Sequence, residues 1–237
     1  LIVGFEDMKR SPITFGDSDY FFTDNDFNDV VFYLRVTPDD SANTALIPPT
    51  LGATDSDGDG VDDNFDDFPD DPDRSFINYI PAQDAYGTLA YEDLWPRRGD
   101  YDFNDLVVQY HLDEVLDAQY RLVDSYISLR VMALGAGYQN GFACEVMCPP
   151  EQVLSVTGSV ILDDYVTLNP NGTEAGQSNA VFLACDNLSR LMPRPTGASF
   201  VNTVTNEPYV DPVEITLGVH FDPPVSRQDA DMEKFYN

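Results

Sequence analysis

The segment Val213-Glu214-Ile215-Thr216-Leu217-Gly218-Val219-His220-Phe221 places an apolar residue at every second position. A period of two is that of a strand with one buried and one wetted face. Val30–Val36, Leu106–His111, Tyr120–Leu134, Val153–Leu162 and Ala180–Ala184 are likewise short, rich in β-branched and aromatic residues, and bounded by Gly, Pro, Asn or Asp. No amphipathic helix of three turns emerges. Asp113–Arg121 is the nearest candidate, yet from Tyr120 onward the pattern is that of a strand. The expected fold is therefore all-β, an antiparallel β-sandwich of jelly-roll type, formed as a single domain over residues 1–237. Residues 37–81 are polar and Pro-rich, and they predict an insertion, centred on about 46–80, that leaves and rejoins the sandwich.

An acidic signature occurs twice. Phe5-Glu6-Asp7 is followed by Asp24-Asn25-Asp26-Phe27-Asn28-Asp29-Val30, and Tyr91-Glu92-Asp93 by Asp100-Tyr101-Asp102-Phe103-Asn104-Asp105-Leu106. The two copies span residues 5–36 and 91–112, and each runs straight into an apolar strand. Oxygen-bearing side chains at alternate positions, Asp24, Asp26 and Asn28 and then Asp100, Asp102 and Asn104, fit the one-three-five spacing of a Ca²⁺ loop. Asp29 and Asp105 follow directly, and Glu6 or Asp7, and Glu92 or Asp93, are placed to close each site from an adjacent strand. Phe27 and Phe103 are expected to face the core, as alternation in an extended segment requires. The competing reading is a pair of Asx-capped turns, whose Asp and Asn side chains only satisfy backbone donors.

The insertion carries the sharpest motif. Over Asp55–Asp66, carboxylates stand at relative positions 1, 3, 5, 9 and 12, as Asp55, Asp57, Asp59, Asp63 and Asp66. Gly60 occupies position 6, where a calcium loop turns, and Val61 offers its carbonyl at position 7. A hard cation takes about six to eight oxygens at ~2.3–2.6 Å, and this spacing wraps the chain around one point. Position 12 departs from the EF-hand pattern, since Asp66 is shorter than the usual bidentate Glu. The bland alternative is a solvated acidic loop.

These clusters account for a composition that otherwise opposes folding. The chain has 42 Asp and Glu against 12 Lys and Arg, a net charge of −30, with no basic residue between Arg35 and Arg74. Self-repulsion on that scale works against compaction, while 43% apolar and 12% aromatic residues suffice for a core. Several bound Ca²⁺ ions would neutralise the clustered carboxylates and couple folding to metal. Nucleic acid and anionic membrane are excluded as direct partners. No apolar run approaches about 18 residues, so no membrane insertion is expected. The opening at Leu1 is read as a mature fragment or excised region.

Among Cys144, Cys148 and Cys185 we expect one disulfide; free buried thiols are the second reading and a zinc site, which lacks a nearby histidine, the third. His111 and His220 sit in strand-like segments without a nucleophile motif, which reads as structural rather than catalytic. Two carboxylates suffice for a glycoside hydrolase, but the acids here are grouped in threes or more, which suits ligation better than a split acid–base pair. Trp95 is read as a hydrophobic plug beside the second site rather than a sugar platform. Tyr79, Tyr86 and Tyr138 stay open between the two roles. Asn171-Gly172-Thr173 and Asn187-Leu188-Ser189 match the glycosylation pattern, read as coincidence.

The doubled motif, Phe5-Glu6-Asp7 through Asp26-Phe27-Asn28-Asp29-Val30-Val31-Phe32 and Tyr91-Glu92-Asp93-Leu94-Trp95-Pro96 through Asp102-Phe103-Asn104-Asp105-Leu106-Val107-Val108, resembles the LruC-domain proteins of bacteria. So do residues 135–142 and 171–177. Residues 54–63, continuing to Phe68-Pro69-Asp70-Asp71-Pro72, are similar to a thrombospondin type 3 calcium repeat. The resemblance implies secreted or surface-anchored bacterial proteins, lipoproteins or parts of large adhesins among them, with no established enzymatic activity. The expectation is thus a calcium-stabilised extracellular module that binds a surface glycan, peptide or matrix polymer. A purely structural spacer or self-assembling filament subunit is the alternative.

Overall fold

The structure is a computed structural model that describes residues 2–5, 30–33, 54–94 and 99–230. The chain divides into two compact units, Leu1–Gly52 and Ala53–Asn237. In the first unit, β1 (Ile2–Phe5) pairs antiparallel with β2 (Val30–Tyr33), setting Ile2 opposite Tyr33 and Phe5 opposite Val30. Residues 34–36 of the expected strand lie outside the described residues.

The second unit contains β3 (Phe76–Ile80), β4 (Gly87–Tyr91), β5 (Leu106–Leu116), β6 (Arg121–Ala133), β7 (Phe142–Val146), β8 (Val153–Thr157), β9 (Ala180–Cys185) and β10 (Val213–Ser226). One antiparallel sheet runs β3-β5-β6-β10-β8, and β4 also pairs with β5; β7 and β9 form a second, antiparallel pair. The fold is an all-β sandwich. On β10, Ile215, Leu217, Val219 and Phe221 are buried while Glu214 and Thr216 are exposed, so the alternation in sequence becomes an inside and an outside. These side chains join Leu112, Ile127 and Leu129 of the large sheet and Val146, Phe182 and Ala184 of the β7–β9 pair in one core. Removing such side chains from water, at about 25 cal/mol per Å², supplies the main driving force for folding.

Several elements differ from expectation. β5 runs to Leu116, five residues past His111, and the turn into β6 is made by Asp117. Its carboxylate accepts from the Gln119 and Arg121 N–H groups at 3.0 and 2.8 Å, and Arg121 Nε donates back to it at 2.7 Å. An Asx turn therefore takes the place of the helix candidate at Asp113–Arg121. β8 stops at Thr157 because Gly158 follows at φ +89°, with Thr216 O only 2.0 Å from where its Cβ would stand. β10 continues past Phe221 through two prolines, and its register with β6 shifts between His220 and Val225. A bulge is where a strand tolerates proline. Among the described residues the helices are single turns, α1 (Leu188–Leu191) and α2 (Arg227–Ala230), and no helix is long and apolar enough to cross a membrane.

The expected disulfide is not formed. Cys144, Cys148 and Cys185 are all free and buried, with the Cys148 thiol pushed up to about 11 by burial and that of Cys144 pushed higher still. The ladder explains it. Cys144 faces Phe182 on β9, whereas Cys185 faces Phe142. That offset, two residues on β7 and three on β9 across a register shift, is roughly 6–7 Å along the strand, which with the ~5 Å between strands gives about 8 Å, beyond the ~4.4–6.8 Å Cα separation that a disulfide spans.

Both glycosylation-like asparagines are committed internally. Asn171 Nδ2 donates to the Pro150 and Val153 carbonyls at 2.9 and 2.8 Å, Thr173 is fully buried, and Asn187 is 1% exposed. Beside Asn187, the buried Asp186 carboxylate accepts from the Leu162, Asp163 and Tyr165 N–H groups at 2.7, 2.9 and 3.4 Å. Burial by itself would raise the Asp186 pKa; the backbone donors outweigh it and hold the group below the ordinary carboxylate range. A depressed folded-state pKa adds stability above the unfolded value of about 3.9 that is lost as pH falls through the folded one. Asp186→Ala is expected to cost about 2–3 kcal/mol at pH 7, because buried donors lose their acceptor. The gap between variant and parent should narrow below about pH 4. Urea unfolding at pH 7 and pH 3.5 checks both.

Candidate metal centres

The loop from Thr54 is held by its own carboxylates. Asp55 accepts from the Gly58 and Gly60 N–H groups at 2.7 and 3.1 Å, Asp57 from Asp59 at 3.1 Å, and Asp59 from Val61 at 2.7 Å. Gly60 takes φ +101°, the left-handed conformation that the turn at position 6 calls for. One carboxylate oxygen from each of Asp55, Asp57 and Asp59 lies within 4.8 Å of the others. Asp66 stands close enough that, after burial, the charges of Asp59 and Asp57 push its pKa up. Asp63 turns away and accepts from Ser56 N and Oγ, both at 2.8 Å.

The loop is fastened to the large sheet. Ser75 Oγ donates to Asp59 Oδ2, and Ser75 N to the Leu116 carbonyl at 2.8 Å. Arg74 Nε reaches the buried Asp124 on β6 at 2.7 Å while Arg74 Nη1 holds Asp71 at 2.9 Å. His220 Nδ1 meets the other oxygen of Asp124 at 2.5 Å, and His111 bridges the Ala85 carbonyl and Asp113 at 2.7 and 2.8 Å. Both histidines are thus engaged in structural contacts. Tyr79 and Tyr86 flank His111 with ring centroids 6.1 and 5.5 Å away, and the Arg130 guanidinium lies 3.9 Å over the Tyr86 ring.

The second cluster grows from strand pairing. Tyr91 at the end of β4 lies opposite Leu106 at the start of β5. The next residue after Tyr91 and the one before Leu106 are Glu92 and Asp105, so the antiparallel register sets two acids side by side. Asp100 completes the group, with one oxygen of each within 4.8 Å of the others. Glu92 and Asp105 are buried. Phe103 N donates to Glu92 Oε2 at 3.4 Å, and Asp93 N to Asp105 Oδ2 at 2.8 Å. Burial, then the neighbouring Asp105 and Asp100, pushes the Glu92 pKa up, and the same influences raise that of Asp93. Gly99 leaves room for this carboxylate: a Cβ there would stand 2.7 Å from Glu92 Oε1.

The convergence is not the one-three-five set read from the sequence. Of that set Asp100 joins the cluster, whereas Asn104 Nδ2 donates to Asp102 Oδ2 at 2.5 Å apart from it. Phe103 does not face the core; it and Tyr101 are both 48% exposed. Their φ angles, +52° and +59°, explain the correction, since left-handed residues break the two-residue alternation of an extended chain. Glu6, Asp7, Asp24, Asp26, Asn28, Asp29 and Trp95 lie outside the described residues.

Among the described residues, each cluster contains a buried carboxylate oxygen with no hydrogen-bond partner, Asp57 Oδ2 in the loop and Glu92 Oε1 in the second. A buried polar atom costs free energy unless it is satisfied, and an acceptor among other acceptors is satisfied by a bound cation or by a proton shared with a neighbouring carboxyl, as Asp105 offers to Glu92. Hard oxygen donors of this kind fit Ca²⁺ better than softer transition metals.

Residues 121–237 match the model of a family described as a domain of unknown function, DUF4842. The match opens at the first residue of β6, so both acidic clusters precede it. No curated protein and no solved structure matches the chain.

Proposed function

We propose that the chain is a calcium-stabilised binding module of a secreted or surface-attached bacterial protein, engaging a glycan, peptide or matrix polymer. The observation that carries this reading is the pair of orphaned buried oxygens, Asp57 Oδ2 and Glu92 Oε1, each inside a cluster of three carboxylates. The likeness of the doubled motif to LruC-domain proteins and of the loop to thrombospondin type 3 repeats supports both the cation and the location. Asp55, Asp57 and Asp59 would hold one Ca²⁺, with Asp66 adjoining; Glu92, Asp100 and Asp105 would hold another. The ion supplies positive charge to oxygens that otherwise repel, and the protein fixes their convergence by strand pairing and backbone hydrogen bonds. The two sites differ in role. The loop closes on itself and is bolted to the sheet at Ser75 and Arg74, which favours a staple. The second sits at the strand-entry end, where loops on a rigid scaffold form binding surfaces. No catalytic role is proposed, since the acids converge in threes, which suits ligation better than a split acid–base pair.

Calorimetric titration of the metal-free chain with Ca²⁺ tests the reading. Asp57→Ala and Glu92→Gln should each lower the stoichiometry by one ion. A stoichiometry unchanged by both substitutions refutes it.

A further inference from the structure

Asp105 has two environments. One side belongs to the carboxylate cluster, and the other lines a cavity of about 430 Å³ walled by Tyr91, Asp93, Leu106, Gln139, Asn140 and Phe142 among others. The cavity is of the size that takes a small ligand. Its polar wall consists of carboxylates and amides, the donors and acceptors suited to hydroxyl groups, and among the described residues no Lys or Arg lines it. Tyr91 is 40% exposed and meets Phe142 edge to face at a centroid distance of 6.1 Å, leaving apolar ring surface on the rim. Gln139 also lines a second cavity of about 270 Å³, where Tyr138 is 67% and Phe200 37% exposed. Two cavities that share Gln139, the first walled by carboxylates and amides and the second by exposed rings beside Arg194, suit consecutive units of a chain polymer.

We propose that the Asp105 cavity is a glycan subsite, in which vicinal hydroxyls of a neutral sugar complete the coordination of the cation at Glu92, Asp100 and Asp105, with the next sugar seated at Tyr138 and Phe200. This rests on the calcium reading of that cluster. At the Asp105 cavity, neutral sugar is favoured over an anionic ligand on two grounds. The chain's net charge of −30 repels anions, and Asp93 on the cavity wall would face a ligand carboxylate directly. Hydroxyl oxygens are hard donors that Ca²⁺ accepts within its six to eight positions, while the rings supply the apolar face against which a pyranose packs.

The test separates ion from ligand. The full chain is run on native gels containing mannan, galactan, dextran or polygalacturonate, with Ca²⁺ or with EDTA. Binding to a peptide with a free C-terminal carboxylate is measured in parallel. The expected result is retardation by at least one neutral polysaccharide in Ca²⁺ alone, weakened about tenfold or more by Tyr91→Ala and to a lesser degree by Tyr138→Ala. Neither variant should change the calorimetric Ca²⁺ stoichiometry, because neither residue is a ligand. Retardation that persists in EDTA overturns the proposal. So does binding confined to polygalacturonate or the peptide, or no binding at all while Glu92→Gln still removes one ion. If Glu92→Gln removes no ion, the calcium reading of this cluster falls, and the proposal with it.

Discussion

Excess EDTA is expected to lower the melting temperature by about 10–20 °C, and Ca²⁺ to restore it more fully than Mg²⁺. An ion bound only by the folded state, at a free concentration about a hundredfold above its Kd, stabilises by roughly 2.7 kcal/mol. Two such sites give about 5 kcal/mol, and each kcal/mol moves the midpoint of a domain this size by about 2–4 °C. Three carboxylates with oxygens within 4.8 Å of one another, in each of two places, repel in the metal-free state, and relief of that repulsion is part of the binding free energy already counted. Mg²⁺ demands octahedral geometry at about 2.0–2.1 Å and gives up its water reluctantly, so carboxylates arranged on a loop and a strand junction serve it poorly. Differential scanning calorimetry in EDTA, in Ca²⁺ and in Mg²⁺ reads the result. A midpoint that moves by less than a degree or two with chelator would sink the calcium reading at both clusters.

The strands were legible where one face meets the core and the other meets water. Val213–Phe221 shows this best, its alternating apolar residues becoming Ile215, Leu217, Val219 and Phe221 of the interior. Strands β3 and β4 gave no comparable signal. They lie on the outer side of β5, and their side chains are half-buried or exposed, so burial imposed no alternation on their composition. Strand β7 is only five residues long and carries polar Glu145 and Cys144 among its apolar positions, which hid it beside the cysteines. Spacing in the loop was informative because the chain there folds onto itself: Asp55, Asp57 and Asp59 converge within five residues. In the second motif the convergence depends on tertiary pairing. Glu92 and Asp105 meet because Tyr91 and Leu106 are partners across a ladder, a register no local spacing encodes. The positive φ at Tyr101 and Phe103 then redirects the residues between, which is why Asp102 and Asn104 pair with each other rather than with Glu92.

Gly135→Ala should abolish the second ion site and lower the melting temperature by about 5–10 °C, while Gly137→Ala, two residues on, should do neither. A Cβ on Gly135 would stand 2.0 Å from Asn104 Oδ1 and 2.6 Å from the Asn104 carbonyl oxygen. The side-chain oxygen can swing aside, but the carbonyl belongs to the backbone and can move only with its neighbours. Gly135 has little freedom to retreat, because Leu134 exchanges two backbone hydrogen bonds with Val201 at 3.0 and 2.9 Å. The strain therefore falls on Asn104 and on Asp105, whose carbonyl accepts from Gly135 N at 3.1 Å. Overpacking of this kind costs about 1–3 kcal/mol, most of which would appear as displacement of Asp105 from Glu92. Around Gly137 no atom of the described residues lies within 4 Å of the added carbon, so the same substitution there is a matched control for helix-forming or unfolded-state effects of alanine. Calcium bound by Asp55, Asp57 and Asp59 should survive in both variants. A Gly135→Ala chain that keeps its full Ca²⁺ stoichiometry and melts with Gly137→Ala would mean that the junction of β4, β5 and β6 tolerates movement, and that Asp105 is not held in place for an ion.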